Sequence, residues 1–287
     1  MTAEWAAKDS RDYIVAFALS STNDCPADFE LPSSMAGFDT GLFLPRGYRD
    51  PCVLLLKDDT LSIVSHPGTG EPPRQCGLQQ ISSVEAGHML LKGWLRFTGS
   101  GFDYTIRYNT RGIGPVLRFM RCFRERWLRG AGPHGTSDAD AGTGLDIKFG
   151  NALALEIDSG ESLLLHVFQP PREARRHRWL AGDLLALTSR RLLWITDRER
   201  GFCSRYGSIA TYVPLEAVRS IVLISGGDML QVELNDGTAW QIPIAAENRG
   251  VVEELAAALE TTQRKNKSQN WESAPGFGGL SSRVGSR

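Results

Sequence analysis

The stretch GDLLALTSRRLLWITDRE, Gly182 to Glu199, decides the reading of this 287-residue chain. Leu184 to Thr188 and Leu192 to Thr196 are short runs of Leu, β-branched and aromatic residues, the composition of strands. The polar Ser189-Arg190-Arg191 between them reads as a strand turn, so the stretch predicts two consecutive antiparallel strands.

Working outward, the same idiom fills the second half of the chain. Ser162 to Phe168, Val218 to Ile224, Met229 to Leu234 and Thr238 to Ile244 read as strands, with Asn235-Asp236-Gly237 as a hairpin turn. In the first half, Val53 to Leu56, Leu61 to Val64, Trp94 to Thr98 and Tyr104 to Tyr108 are strand-like runs, separated by Asp-Asp, Pro-Gly and Gly-Ser-Gly turn chemistry. Each half closes on a helix. Ile113, Val116, Leu117, Met120, Phe123 and Trp127 share one side at helical spacing, and Arg124 within that stripe is expected to extend its guanidinium outward. Asn248 is placed to cap a second helix whose apolar stripe is Val251, Val252, Leu255 and Leu259.

The halves also align with one another. LLLKDDTLSIV from Leu54 matches LALTSRRLLWI from Leu185, and QISSV ending at Val84 matches PLEAV ending at Val218. Tyr104-Thr105-Ile106 matches Trp240-Gln241-Ile242, and Asn109 to Ile113 matches Asn248 to Val251 before each helix. A weak internal duplication accounts for this order. Residues 130–144, almost all small or polar, read as a linker between a domain at 38–129 and a domain at 145–262. The composition of residues 263–287 predicts a disordered tail, and residues 1–37 support either a short helix or a strand.

The totals narrow the function. The length fits two domains of ordinary size, and a net charge of −1 argues against a dedicated nucleic-acid binder. The apolar runs at Ile14 to Leu19 and Leu163 to Phe168 are far shorter than the ~20 residues that cross a bilayer, so no transmembrane segment is expected. Cys25, Cys52, Cys76, Cys122 and Cys203 form no close pair of the kind a metal knuckle or redox motif needs; a reducing cytoplasm fits them best, and no metal or cofactor is expected. His66, His88, His134, His166 and His177 are scattered, the turn carboxylates Asp58-Asp59 read as solvated, and no phosphate-binding loop or nucleophile elbow occurs. Trp94, Trp127, Trp179, Trp194 and Trp240 read as core packing, and Trp271 stands in the tail. The composition therefore points away from an enzyme.

Gly182 to Glu199 also resembles the second and third strands of bacterial pleckstrin-homology-like (bPH or GRAM-like) domains, in which an apolar strand ends in Thr-x-Arg-Arg-Leu. Gly160-Glu161 before LLLHVF resembles the Gly-Glu that opens the first strand of such domains, and YVPLEAVRSIVL from Tyr212 resembles their later strand. The resemblance covers most of residues 145–262 and reaches the first half through the internal match. It implies a mainly β fold with α (α+β): two tandem sandwiches or partly open barrels of about seven strands, each closed by its C-terminal amphipathic helix.

Charge is segregated along the chain. Between Arg172 and Arg205 stand nine arginines against Glu173, Asp183, Asp197 and Glu199. PPREARRHRW occupies the loop that, in lipid-binding members of the resembled family, holds phosphate groups. Arg172, Arg175, Arg176 and Arg178, with Arg190 and Arg191, are therefore the candidate anion-binding residues, since a guanidinium makes paired bonds to phosphate oxygens. The family's lysines are absent here. The expected function is a non-enzymatic binding or scaffold module in the cytoplasm that engages a protein partner. The alternatives are peripheral attachment to anionic lipid at the inner face of the membrane, and an unrecognised enzyme.

Overall fold

The computed structural model describes residues 28–31, 52–57, 59–65, 74–89, 92–109, 113–128, 144–158, 160–174, 178–199, 202–203, 207–224, 226 and 228–273. The chain is mainly β with three helices among these residues. Strands β1 (Asp28–Leu31), β2 (Cys52–Lys57), β3 (Thr60–Ser65) and β4 (Arg74–Gly77) form an antiparallel sheet in that order. A single 3-10 turn, Leu78–Gln80, leads into β5 (Ile81–Met89), β6 (Lys92–Gly99) and β7 (Phe102–Asn109), and helix α1 (Ile113–Trp127) follows.

The second half opens with helix α2 (Ile147–Glu156), which the sequence reading did not anticipate. Asp146 accepts the Phe149 N–H at 2.8 Å and so caps it. Then come β8 (Leu163–Gln169), the short ribbon β9 (Arg172–Ala174) and β10 (Arg178–Leu180), then β11 (Asp183–Thr188) and β12 (Arg191–Thr196). A second short ribbon, β13 (Arg198–Glu199) and β14 (Phe202–Cys203), precedes β15 (Ser208–Pro214). Another 3-10 turn, Leu215–Ala217, leads to β16 (Val218–Ile224), β17 (Met229–Leu234) and β18 (Ala239–Pro243), and helix α3 (Arg249–Ser273) ends the described chain.

The halves thus share an order of four main strands, a 3-10 turn, a three-stranded meander and a helix. They are not separate. β5 pairs with β15, from Val84↔Tyr212 to His88↔Ser208, and this seam fuses the first half's meander to the second half's leading sheet. The result is one seven-stranded sheet in the order β7-β6-β5-β15-β12-β11-β8.

This fusion explains why β11 and β15 are buried at every position. Side chains alternate across a strand. Leu184, Ala186, Leu193, Ile195, Ala210 and Tyr212 enter one core, shared with β2, β3, α1 and α2 of both halves. Leu185, Leu187, Leu192 and Val213 enter a second core under β16 to β18 and α3. A strand buried on both faces must be apolar nearly throughout, which is the pattern of LLAL.

Several expectations are corrected. The first sheet begins within residues 1–37, at β1, and the strand read through Tyr212 to Leu223 is interrupted by the 3-10 turn after Pro214. The matching turns also revise the internal alignment, because Leu78 corresponds to Leu215 and Ile81 to Val218. Leu117 is 44% exposed, whereas Phe119 is buried in its place. The proposed tail is helical as far as Ser273, and Trp271 falls within that helix. Gln263 helps to hold this extension, its amide donating to the carbonyls of Leu215 (2.6 Å) and Val218 (2.8 Å). Asn248 directly precedes α3, and its side-chain amide donates to the Phe168 carbonyl. The linker lies outside the described residues except for Gly144. Cys122 is disulfide-bonded and Cys76 is a buried free thiol, so wide spacing in sequence did not forecast pairing in space.

Candidate functional site

The six candidate arginines do not form one group. β9 and β10 lie between Gln169 and Asp183, which are register partners at one end of the sheet, whereas Arg190 and Arg191 follow Thr188 at the other end of β11. Five residue steps of about 3.3 Å put roughly 17 Å between the two ends. Arg172 and Arg178 sit on the ribbon, with Arg178↔Ala174 and Leu180↔Arg172 in register. Arg175, Arg176 and His177, between its two strands, lie outside the described residues.

A second ribbon emerges at the same end. β13 and β14 are inserted between Thr196 and Ser208, and Thr196 is the register partner of both Asp183 and Ile209. Arg198 opens β13, opposite Cys203. Its arginine was counted in the basic stretch but not assigned to the site, although the matched position of the two insertions could have revealed it. The acids at the base of the ribbons are occupied internally. Asp197 is buried, accepts the Gly182 N–H at 2.7 Å and pairs with Lys148 at 3.4 Å. Asp183 is buried and accepts from the Trp194 indole at 3.1 Å. Asp183 and Asp197 thus turn their charge inward, while the ribbons themselves carry Glu173 next to Arg172 and Glu199 next to Arg198.

At the opposite end, Arg191 is fully buried and cannot meet a ligand at the surface. Its guanidinium pairs with Glu161 at 2.5 Å and Asp158 at 3.2 Å, and also donates to the Glu156 carbonyl. Glu161 is equally buried and accepts the Thr188 hydroxyl at 2.6 Å. The Gly-Glu and Thr-x-Arg-Arg elements that carried the family resemblance are thus two sides of one internal ion pair. Arg190 is half-buried and close enough to Asp158 to help hold its carboxyl down.

Arg124 of α1 joins this cluster, pointing inward instead of outward. It is 4% exposed, makes paired bonds to Asp158 at 3.0 and 2.8 Å, meets Glu156 at 3.1 Å and lies over the Tyr212 ring. Burial opposes charge on Arg124, but Tyr212, Asp158 and Glu156 together hold it above its ordinary range. Asp158 is likewise resisted by burial yet held below the usual carboxylate range by Arg124 and Arg191. The Tyr212 hydroxyl donates to Glu156 at 2.6 Å, and burial followed by the Glu156 charge pushes its pKa well up. No sequence motif links Arg124 to carboxylates more than thirty residues away, and the cluster exists only once the halves are joined.

No family model matches the sequence, and comparison with curated proteins finds no significant match. No helix among the described residues is long and apolar enough to cross a membrane.

Proposed function

We propose that this chain is a non-enzymatic binding module made of two pleckstrin-homology-like units, and that the ribbon-bearing end of its seven-stranded sheet docks on an anionic headgroup surface. The observation that carries the reading is the emergence of two arginine-bearing ribbons at one sheet end, with the neighbouring acids Asp183 and Asp197 held inside. The repeated element order supports the two-unit description. Arginines at a headgroup surface attract it by roughly 1 kcal/mol each, over a range set by salt screening of ~8 to 10 Å.

The test is vesicle flotation. Wild-type protein is expected to float with acidic vesicles at low salt, to release as salt rises, and to ignore neutral vesicles. Arg172→Ala, Arg178→Ala and Arg198→Ala together should weaken binding by about a hundredfold, three contributions of about 1 kcal/mol. Wild-type protein that ignores acidic vesicles at low salt would end this reading.

A second reading, a scaffold for a protein partner, rests on α2. Its Ile147 and Leu155 are 84% and 72% exposed, an apolar pair two turns apart on one helix. Ile147→Glu with Leu155→Glu should abolish crosslinking to a partner without weakening vesicle flotation; unchanged crosslinking would remove this reading.

A further inference from the structure

Strand β16 is the second half's counterpart of β5. Each follows a 3-10 turn, and the carbonyl of its first residue accepts a bond from the helix that closes its half. Trp127 Nε1 donates to Ile81 at 3.2 Å, and Gln263 Nε2 donates to Val218 at 2.8 Å. Beyond that point the strands differ. β5 spends its outer edge on β15, whereas β16 has β17 on one side and, among the described residues, no strand on the other.

That edge, without a strand partner among the described residues, is Ile221-Val222-Leu223-Ile224, aliphatic throughout, with Val222 42% exposed. The strand's one charge, Arg219, is bonded to the Asn235 carbonyl at 3.0 Å. Free edges in natural proteins are ordinarily guarded by charge, proline or a covering element, and four other edges here follow that rule. β7 carries Asp103 and Arg107, β18 ends in Pro243, and Pro72-Pro73 precede β4. β8 is covered by the segment before α3, where Asn248 donates to the Phe168 carbonyl and the Ala245 N–H to Gln169.

We infer that the β16 edge is a homodimer seam, in which two copies of this chain pair β16 to β16 antiparallel about a two-fold axis at Val222. The occupant follows from the seam already present, since the counterpart edge takes an antiparallel strand of a like unit. Between copies, joining β16 to β4, the counterpart of β15, would set the edge against two prolines that lack N–H donors. Self-pairing meets no such obstacle and closes with one axis, the commonest symmetry of homo-oligomers.

Sedimentation of the full chain over a concentration series tests this directly. A dimer is expected. Val222→Lys places like charges across the axis and should weaken dimerisation by about a hundredfold or more, with the thermal unfolding of the monomer unchanged because the side chain is already partly in water. Val222→Cys should give a covalent dimer with a short thiol crosslinker, since directly opposed Cβ atoms lie about 5 Å apart. A monomer at every concentration overturns the inference, and so does a dimer that Val222→Lys leaves intact and Val222→Cys does not crosslink. Larger assemblies that fail to crosslink at residue 222 overturn it as well.

Discussion

Arg191 and Glu161, both without solvent contact, set the energetics of the second half's first hairpin. Breaking a buried ion pair from one side strands the other charge, at a cost of about 3–5 kcal/mol. Arg191→Met should therefore lower the unfolding free energy by that amount in urea titration, because it takes the cation from buried Glu161, whereas Glu161→Leu with Arg191→Met should recover most of it. Recovery that fails would mean that the pair, and not merely the absence of a lone charge, specifies the hairpin. His88, on the seam opposite Ser208, has its pKa lowered by burial, with opposing contributions from Glu156 and Lys148; burial also lowers that of the half-buried His166. A lowered histidine pKa means that the unfolded chain binds more protons, so this stability is present above the ordinary value of 6.5 and is lost as pH falls below it, through the lowered values of the folded state. The unfolding midpoint should drop as pH falls below about 6.5, and His88→Gln with His166→Gln should flatten that slope. Arg124 shows what a sequence reading misses at this scale. Helical periodicity placed it on the buried stripe, but the carboxylates that let it stay charged there belong to the other half.

Among the elements, β11, β12, β17, β18 and the turn at Gly237 were legible because each is defined by local apolar runs and turn chemistry. Gly237 has φ of 87° and closes its turn on the Leu234 carbonyl. β5 and the segment before Pro214 were not legible as a pair of partners. β5 carries Ser82, Ser83, Glu85, Gly87 and His88, and it is a strand because β6 and β15 flank it, a pairing that no local pattern encodes. Its Gly87 leaves room for the Trp94 ring: a Cβ there would stand 2.1 Å from the indole. The polar composition after Thr262 hid the length of α3 for a related reason, since a polar residue, Gln263, makes two of the bonds that tie the extension to the fold. Truncation after Thr262 should lower stability by about 1–3 kcal/mol, two bonds of about 1 kcal/mol each, measured by thermal unfolding. No change would assign the extension no structural part.

At the scale of the whole molecule, the sequence reading found the repeat and placed a linker between its halves. In the structure one core draws on both halves and one sheet runs through them. Proteolytic cleavage within residues 130–143 should accordingly leave two fragments that co-elute in native gel filtration and unfold in one transition; fragments that separate would restore the two-domain picture. The seam also has a consequence in time. His88 and Ser208, register partners, are 120 residues apart in the chain. At a synthesis rate of about 5–20 residues per second, the first half leaves the ribosome some 6 to 24 s before its β5 edge can be covered. For that interval the nascent chain presents an open strand template, so recombinant yield should be more sensitive to expression rate and chaperone supply than the stability of the finished protein would imply.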